Sequence, residues 1–213
     1  MALPEHSKII NRVAKQILKP KGLERKGQSR TWLDDNGWFT TVVEFQPFKD
    51  RQGTCINIGV NFHWYLKDYL SFDIGNRESD FIDFKNEEQF IREVEKLAQY
   101  ALDKVHFYRQ ALDEFDRAKQ TIKSHEFTSD NLWGNYHKGT ICGLTGDQSG
   151  LTEYYNKLLT VDHDVSWANE LKNRVTELKE ISPNIDEFRQ RISEIIHETR
   201  ELKKLKKLEI EIK

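Results

Sequence analysis

The stretch TCINIGVNFHWYLK, residues 54–67, constrains the fold more than any other part of the chain. Its even positions from Ile56 to Trp64 are apolar, while its odd positions from Cys55 to His63 are small, amide, glycine or imidazole. A strand with this period buries one face and leaves the other for water, a covering segment or a ligand. The stretch before it, SRTWLDDNGWFTTVVEFQPF, contains Asn36-Gly37, a dipeptide suited to a two-residue type I′ hairpin. Pairing Asp35 with Trp38 places Thr31 opposite Val42 and Ser29 opposite Glu44. Pairing Glu44 with Asn57 in the next hairpin places Val42 by Gly59, Thr40 by Asn61 and Trp38 by His63. Both hairpins then sort Trp32, Phe39, Val43, Phe45, Ile56, Ile58, Val60, Phe62 and Trp64 onto one face.

Helices flank this meander. SKIINRVAKQILKPKG spaces Ile9, Ile10, Val13, Ile17 and Leu18 helically, with Ser7 as N-cap and Pro20 and Gly22 as the stop. DYLSFDIG alternates Leu70, Phe72 and Ile74 as a fourth strand, and DFIDF adds a short fifth. Asn86 and Gln89 resemble a capping box. They open a helical pattern that runs to about Ser124, either continuous or kinked near His106. Residues 125–150, with five glycines and no clear period, read as an irregular connection. Helices over 151–160, 165–181 and 185–208 follow, the last with Pro183 at its first position. The expected architecture is α+β: a mainly antiparallel four- or five-stranded meander with helices on one face, plus a C-terminal helical region. The expected divisions are 1–124, 125–150 and 151–213.

Residues Gly22-Leu23-Glu24-Arg25-Lys26-Gly27, Trp32, Ile56-Asn57-Ile58-Gly59-Val60 and Phe72-Asp73-Ile74-Gly75 carry a family pattern. Over roughly residues 5–120 the chain resembles a bacterial family of small α+β proteins known as a domain of unknown function. The resemblance implies an α+β fold and a bacterial origin, and it transfers no catalytic residues. Small bacterial domains of this kind often stand beside toxin or phage-defence genes, which suggests an accessory or immunity-type component.

Composition narrows the function classes. Lys plus Arg number 33 against 35 acids, so the chain has no global nucleic-acid signature. The charge is unevenly spread: residues 1–30 carry eight Lys/Arg against two acids, and residues 68–116 carry thirteen acids against six bases. Two distant cysteines, Cys55 and Cys142, suggest neither a disulfide framework nor a zinc site. No apolar run approaches the ~20 residues that span a bilayer. No secretory h-region follows the N-terminal MALPEHSKIINR, so a cytoplasmic setting without membrane contact is expected.

Three sets of residues could carry function. The polar sheet face gathers Thr40, Glu44, Asn57, Asn61 and His63 around Gly59 as a ligand-binding candidate. Glu44 and His63 stand about six residues apart along the strands, on the order of 20 Å, too far for one proton relay. The basic segment offers Lys19, Lys21, Arg25, Lys26 and Arg30 to phosphates. His125, His137 and Cys142 are a conceivable Cys-His site that lacks an orienting third group. An acidic nuclease pattern of Asp34 or Asp35 with Glu44 and Gln46 is disfavoured by the same spacing along the hairpin. The reading expects no metal site, no cofactor and no catalytic constellation. It favours a non-enzymatic binding or adaptor module, engaging a protein partner or a second copy through amphipathic helices. A nucleic-acid binder using residues 19–30, or a hydrolase with a polar sheet-face site, is the alternative.

Overall fold

The structure, a computed structural model, describes residues 3–127, 131–163, 165–210 and 212. The chain divides into two units: Met1–Phe62 with Tyr69–Arg109, and His63–Asp68 with Gln110–Lys213. Among the described residues there are seven α-helices and six strands.

In the first unit, α1 (Glu5–Leu18) leads through a 3-10 turn at Lys19–Lys21 into β1 (Glu24–Arg25) and β2 (Thr31–Asp35). Then come β3 (Phe39–Phe48), β4 (Arg51–Phe62), β5 (Ile74–Arg77), β6 (Ile82–Asp83) and α2 (Glu87–Ala111), the last two residues of which belong to the second unit. The sheet runs β1-β2-β3-β4-β5, with β6 also on β4, and each of these pairings is antiparallel. The second hairpin has the expected register, with Glu44 opposite Asn57, Val42 opposite Gly59 and Thr40 opposite Asn61. The first differs: Asp35 pairs with Thr40 and Thr31 with Glu44. Asn36 donates its backbone N–H to the Phe39 carbonyl, and of Asn36, Gly37 and Trp38 only Gly37 has positive φ, at 84°. The turn is therefore centred on Gly37-Trp38, as a II′ turn with glycine first, and not on Asn36-Gly37. This moves the register by two residues, which preserves the faces. Trp32, Phe39, Val43, Phe45, Ile56, Ile58, Val60 and Phe62 are all buried. On that same side lies Asp34, whose carboxylate is bound by Arg109 of α2. Phe90, Val94, Ala98, Ala101 and Val105 of α2 are fully buried, as are the inward residues of α1.

Some details depart from expectation. Helix α1 begins at Glu5, so Ser7 lies inside it and Pro4 takes the cap position. The fourth strand covers only Ile74–Arg77: Phe72 lies before it with its ring over Gly59, while Ile74 pairs with Val60. The break in the long helical pattern falls at 112–114, where Glu114 turns extended, and not near His106.

The second unit holds α3 (Phe115–Ser124), α4 (Asn131–Leu144), α5 (Gln148–Leu159), α6 (Ser166–Ile181) and α7 (Ile185–Leu202). The expected irregular connection over 125–150 is corrected here: most of its described part is α4, and its end begins α5. Helix α4 escaped its apolar period because glycines stand where side chains would. A Cβ at Gly139 would lie 2.3 Å from the Tyr155 ring, and one at Gly143 would lie 2.4 Å from that of Phe188. Asn184 caps α7 by accepting from Asp186 and Glu187, so Pro183 precedes the cap instead of opening the helix. The last helix also stops at Leu202, short of the expected 208.

Candidate functional site

The polar side of the sheet brings some of its expected residues together and separates others. Asn57, nearly buried on β4, donates through Nδ2 to Glu44 (2.9 Å) and to Gln46 (3.0 Å). Arg77 donates to the same Gln46 oxygen at 3.1 Å. These groups satisfy one another around a buried amide, as buried polar groups must. Asn61 sits in a second network, donating to Ser71 (2.8 Å) and Asp73 (3.1 Å), while Asp73 also accepts the Phe62 backbone N–H at 2.7 Å. Thr40, opposite Asn61, is fully buried. Between the two networks lies Gly59. A Cβ there would stand 2.2 Å from Phe72 and 2.6 Å from the Ile74 carbonyl. The close approach allowed by this glycine is thus taken by the chain's own phenylalanine.

His63 does not join that face. Strand β4 ends at Phe62, so the expected pairing of Trp38 with His63 does not form. His63 belongs to the other unit, fully buried, with Nδ1 3.1 Å from the Lys203 ammonium. Burial holds its imidazole well below the ordinary histidine range, and the charges of Lys203, Arg200 and Lys67 add to this. Its Nδ1 can only accept from that ammonium, which has protons and no lone pair to offer.

The nuclease pattern fails by facing. Asp34 points to the helix side with Arg109, while Glu44 lies on the opposite side of the sheet. Asp35 shares Glu44's side but pairs four residues away, on the order of 13 Å at strand rise. The Cys-His idea fails too. Burial and the neighbouring Asp147 push the Cys142 thiol up to about 11. His137 accepts the Trp64 indole N–H at 2.9 Å, and His125 packs edge-on against Phe127. Among the described residues, no three His, Cys, Asp or Glu gather in a metal-holding group.

The basic segment fares better, in altered membership. Helix α1 buries Ile9, Ile10, Val13, Ala14 and Leu18 on one side. The residues at 8, 12, 15 and 19 fall on the opposite side, at helical spacing, and all four are Lys or Arg. Beside this stripe β1 presents Arg25, and the two border a shallow groove of about 820 Å³ lined by Asn11, Arg12, Lys15, Gln16, Lys19, Pro20 and Arg25. Arg25 donates to the backbone carbonyls of Ser29 (2.6 Å) and Gln28 (2.7 Å), which orient its guanidinium without neutralising it. Arg12 has one carboxylate neighbour, Glu87, at 3.3 Å in an exposed pair. Of the expected basic residues, Lys19 and Arg25 line the groove. Lys21 and Lys26 are exposed outside its lining. Arg30 is structural: half-buried, it donates to the Ser7 hydroxyl at 2.6 Å and to the Gly53 carbonyl, and burial lowers its pKa. Arg12 and Lys15 were absent from the expected set although their spacing with Lys19 on the far side of an apolar stripe marks them. Lysines in a last turn also favour the helix dipole, but Arg12 lies mid-helix, where that motive is absent.

Compared with family models, curated proteins and solved structures, the chain has no match.

Proposed function

We propose that the chain is a non-enzymatic binding module and that its ligand is nucleic acid, held at the groove between α1 and the turn into β1. The observation that carries this reading is the convergence of Arg12, Lys15, Lys19 and Arg25 on one shallow depression, with two amides among them. Four cations around one groove produce a potential suited to a phosphate backbone, where release of condensed counterions supplies most of the affinity. The amphipathic stripes expected to meet a protein partner are used inside the chain: Leu171, Val175 and Leu178 of α6 and Phe188, Ile192 and Ile196 of α7 are fully buried. The polar sheet face supports neither a hydrolase nor a ligand pocket as well, because its amides, carboxylates and guanidinium are engaged with each other and Phe72 covers Gly59. A place in a bacterial toxin or phage-defence system has the resemblance over residues 5–120 as its sole support.

The test is fluorescence anisotropy of the purified chain with labelled duplex and single-stranded oligonucleotides at 50 and 200 mM salt. Binding that weakens by roughly 10²-fold across that range fits about four phosphate contacts. Absence of binding to every oligonucleotide at 50 mM salt would sink the reading.

A further inference from the structure

We infer that the groove accepts a double-stranded nucleic acid by its sugar–phosphate backbone, without reading base sequence. This rests on the nucleic-acid reading of the same groove and sharpens it in two ways.

The first concerns stacking. Proteins that hold single strands combine a basic groove with aromatic side chains on which unpaired bases stack. The lining here is four cations, Asn11, Gln16 and Pro20, with no aromatic ring. An unpaired base would find no aromatic ring to stack on, whereas a duplex keeps its bases stacked on each other and offers only the backbone. Asn and Gln amides, like Arg and Lys, commonly donate to phosphate and sugar oxygens.

The second concerns shape. An α-helix reads B-DNA sequence by entering the major groove, which requires the helix to stand proud of its domain. Between the basic stripe of α1 and Arg25 of β1 lies a shallow, open depression. Such a surface accepts a ridge instead of entering a groove, and the ridge of a duplex is its sugar–phosphate strand.

The experiment compares four probes on the full chain: a mixed-sequence 20-bp DNA duplex, the same duplex as RNA, one of its single strands, and vesicles containing phosphatidylserine. The expected result is that at least one duplex binds about tenfold or more tightly than the single strand, with little change when the duplex sequence is scrambled. The slope of log K against log salt should be about −4 for four neutralised phosphates. Lys15→Glu with Lys19→Glu should weaken duplex binding about tenfold more than Lys21→Glu with Lys26→Glu, which changes the net charge equally outside the groove. Should the first pair unfold, as far-UV circular dichroism would show, Lys15→Gln with Lys19→Gln replaces it. Equal or tighter binding of the single strand, or a more than tenfold preference for one duplex sequence, overturns this inference while leaving the nucleic-acid reading intact. Equal losses from the two charge-reversal pairs overturn the groove assignment. Vesicle binding without duplex binding, or no binding to any probe, overturns both.

Discussion

Strand β4 in the first unit and helix α4 in the second are both interrupted by glycine, and in both the glycine makes room for an aromatic ring from elsewhere in its own unit. At Gly59 the ring is Phe72, which is 38% exposed. At Gly139 and Gly143 the rings are Tyr155 and Phe188, both fully buried. The same residue type therefore does the same steric work in two settings that differ in how far the neighbour can yield. At Gly59 the half-exposed ring can yield, although the Ile74 carbonyl beside it cannot. A helix–helix contact with a buried ring has no such give, since interiors pack near crystal density.

That difference predicts unequal responses to one added methyl group. Gly139→Ala should be the most damaging. Tyr155 is stacked on Tyr136, and its hydroxyl lies 3.0 Å from that of Thr140, so its ring has nowhere to go. Overpacking of this kind costs about 3 kcal/mol, and alanine's better helix propensity returns about 1, leaving a loss of ~2 kcal/mol. Urea titration of both proteins measures it; an unchanged midpoint would mean that propensity outweighs contact and that the comparison is mistaken. Gly59→Ala should cost somewhat less, about 1.5 kcal/mol, because the Phe72 ring can swing outward while the Ile74 carbonyl cannot. The double variant Gly59→Ala with Phe72→Ala separates the two obstacles. Recovery of more than half the loss assigns it to the ring, and no recovery assigns it to the carbonyl.

The contrast also explains which parts of the molecule were legible in the sequence. The sheet was, because period-2 alternation in β3 and β4 fixes facing even where the turn is misread. The two-residue error at Asn36-Gly37 changed every partner in the first hairpin and no side chain's face. Helix α4 was not, because the helical signal is a row of apolar side chains. Here Gly134, Gly139 and Gly143 hold part of that row, and rings from outside the helix (Phe127, Tyr155 and Phe188) fill the space above them. The groove was half legible. Lys19 and Arg25 stand in the basic run, but Arg12 and Lys15 belong to a helical stripe that a linear count of charge does not resolve. His63 was misplaced because alternation continues past Phe62 in the sequence while the strand does not.

The two units should also respond differently to acid, a smaller effect. His63, in the helical unit, is buried and neutral, with its pKa depressed below that of the unfolded chain. Below an unfolded value of about 6.5 the unfolded state binds the extra proton, so this contribution to stability is complete at higher pH and is lost as pH falls through 6.5 and below. Burial also depresses His6 in the sheet unit and His125 in the helical one, in the same direction. Replacing His63 with Gln should therefore flatten the dependence without abolishing it. Unfolding at pH 8.0, 6.5 and 5.5 measures this, and identical slopes in the two proteins would place the acid sensitivity elsewhere.

The smallest expected effect tests the other use of glycine, where the backbone needs it and the chain lacks it. Helix α7 ends with Lys203 still helical and Lys204 at φ 56°, the only positive φ of a non-glycine residue among those described. The backbone N–H of Lys204 donates to Glu201 and that of Leu205 to Arg200, each at 3.0 Å, which closes a Schellman motif on a lysine. A side chain in the left-handed region costs about 1 kcal/mol, and glycine's greater freedom when unfolded takes back part of that. Lys204→Gly should accordingly stabilise the chain by about 0.5 kcal/mol. Glycine at Gly139 is kept for the space above it, and at 204 it would be favoured for its dihedral angle alone. If Lys204→Gly and Lys204→Ala shift the unfolding midpoint equally, the gain comes from deleting the lysine side chain and the dihedral argument fails.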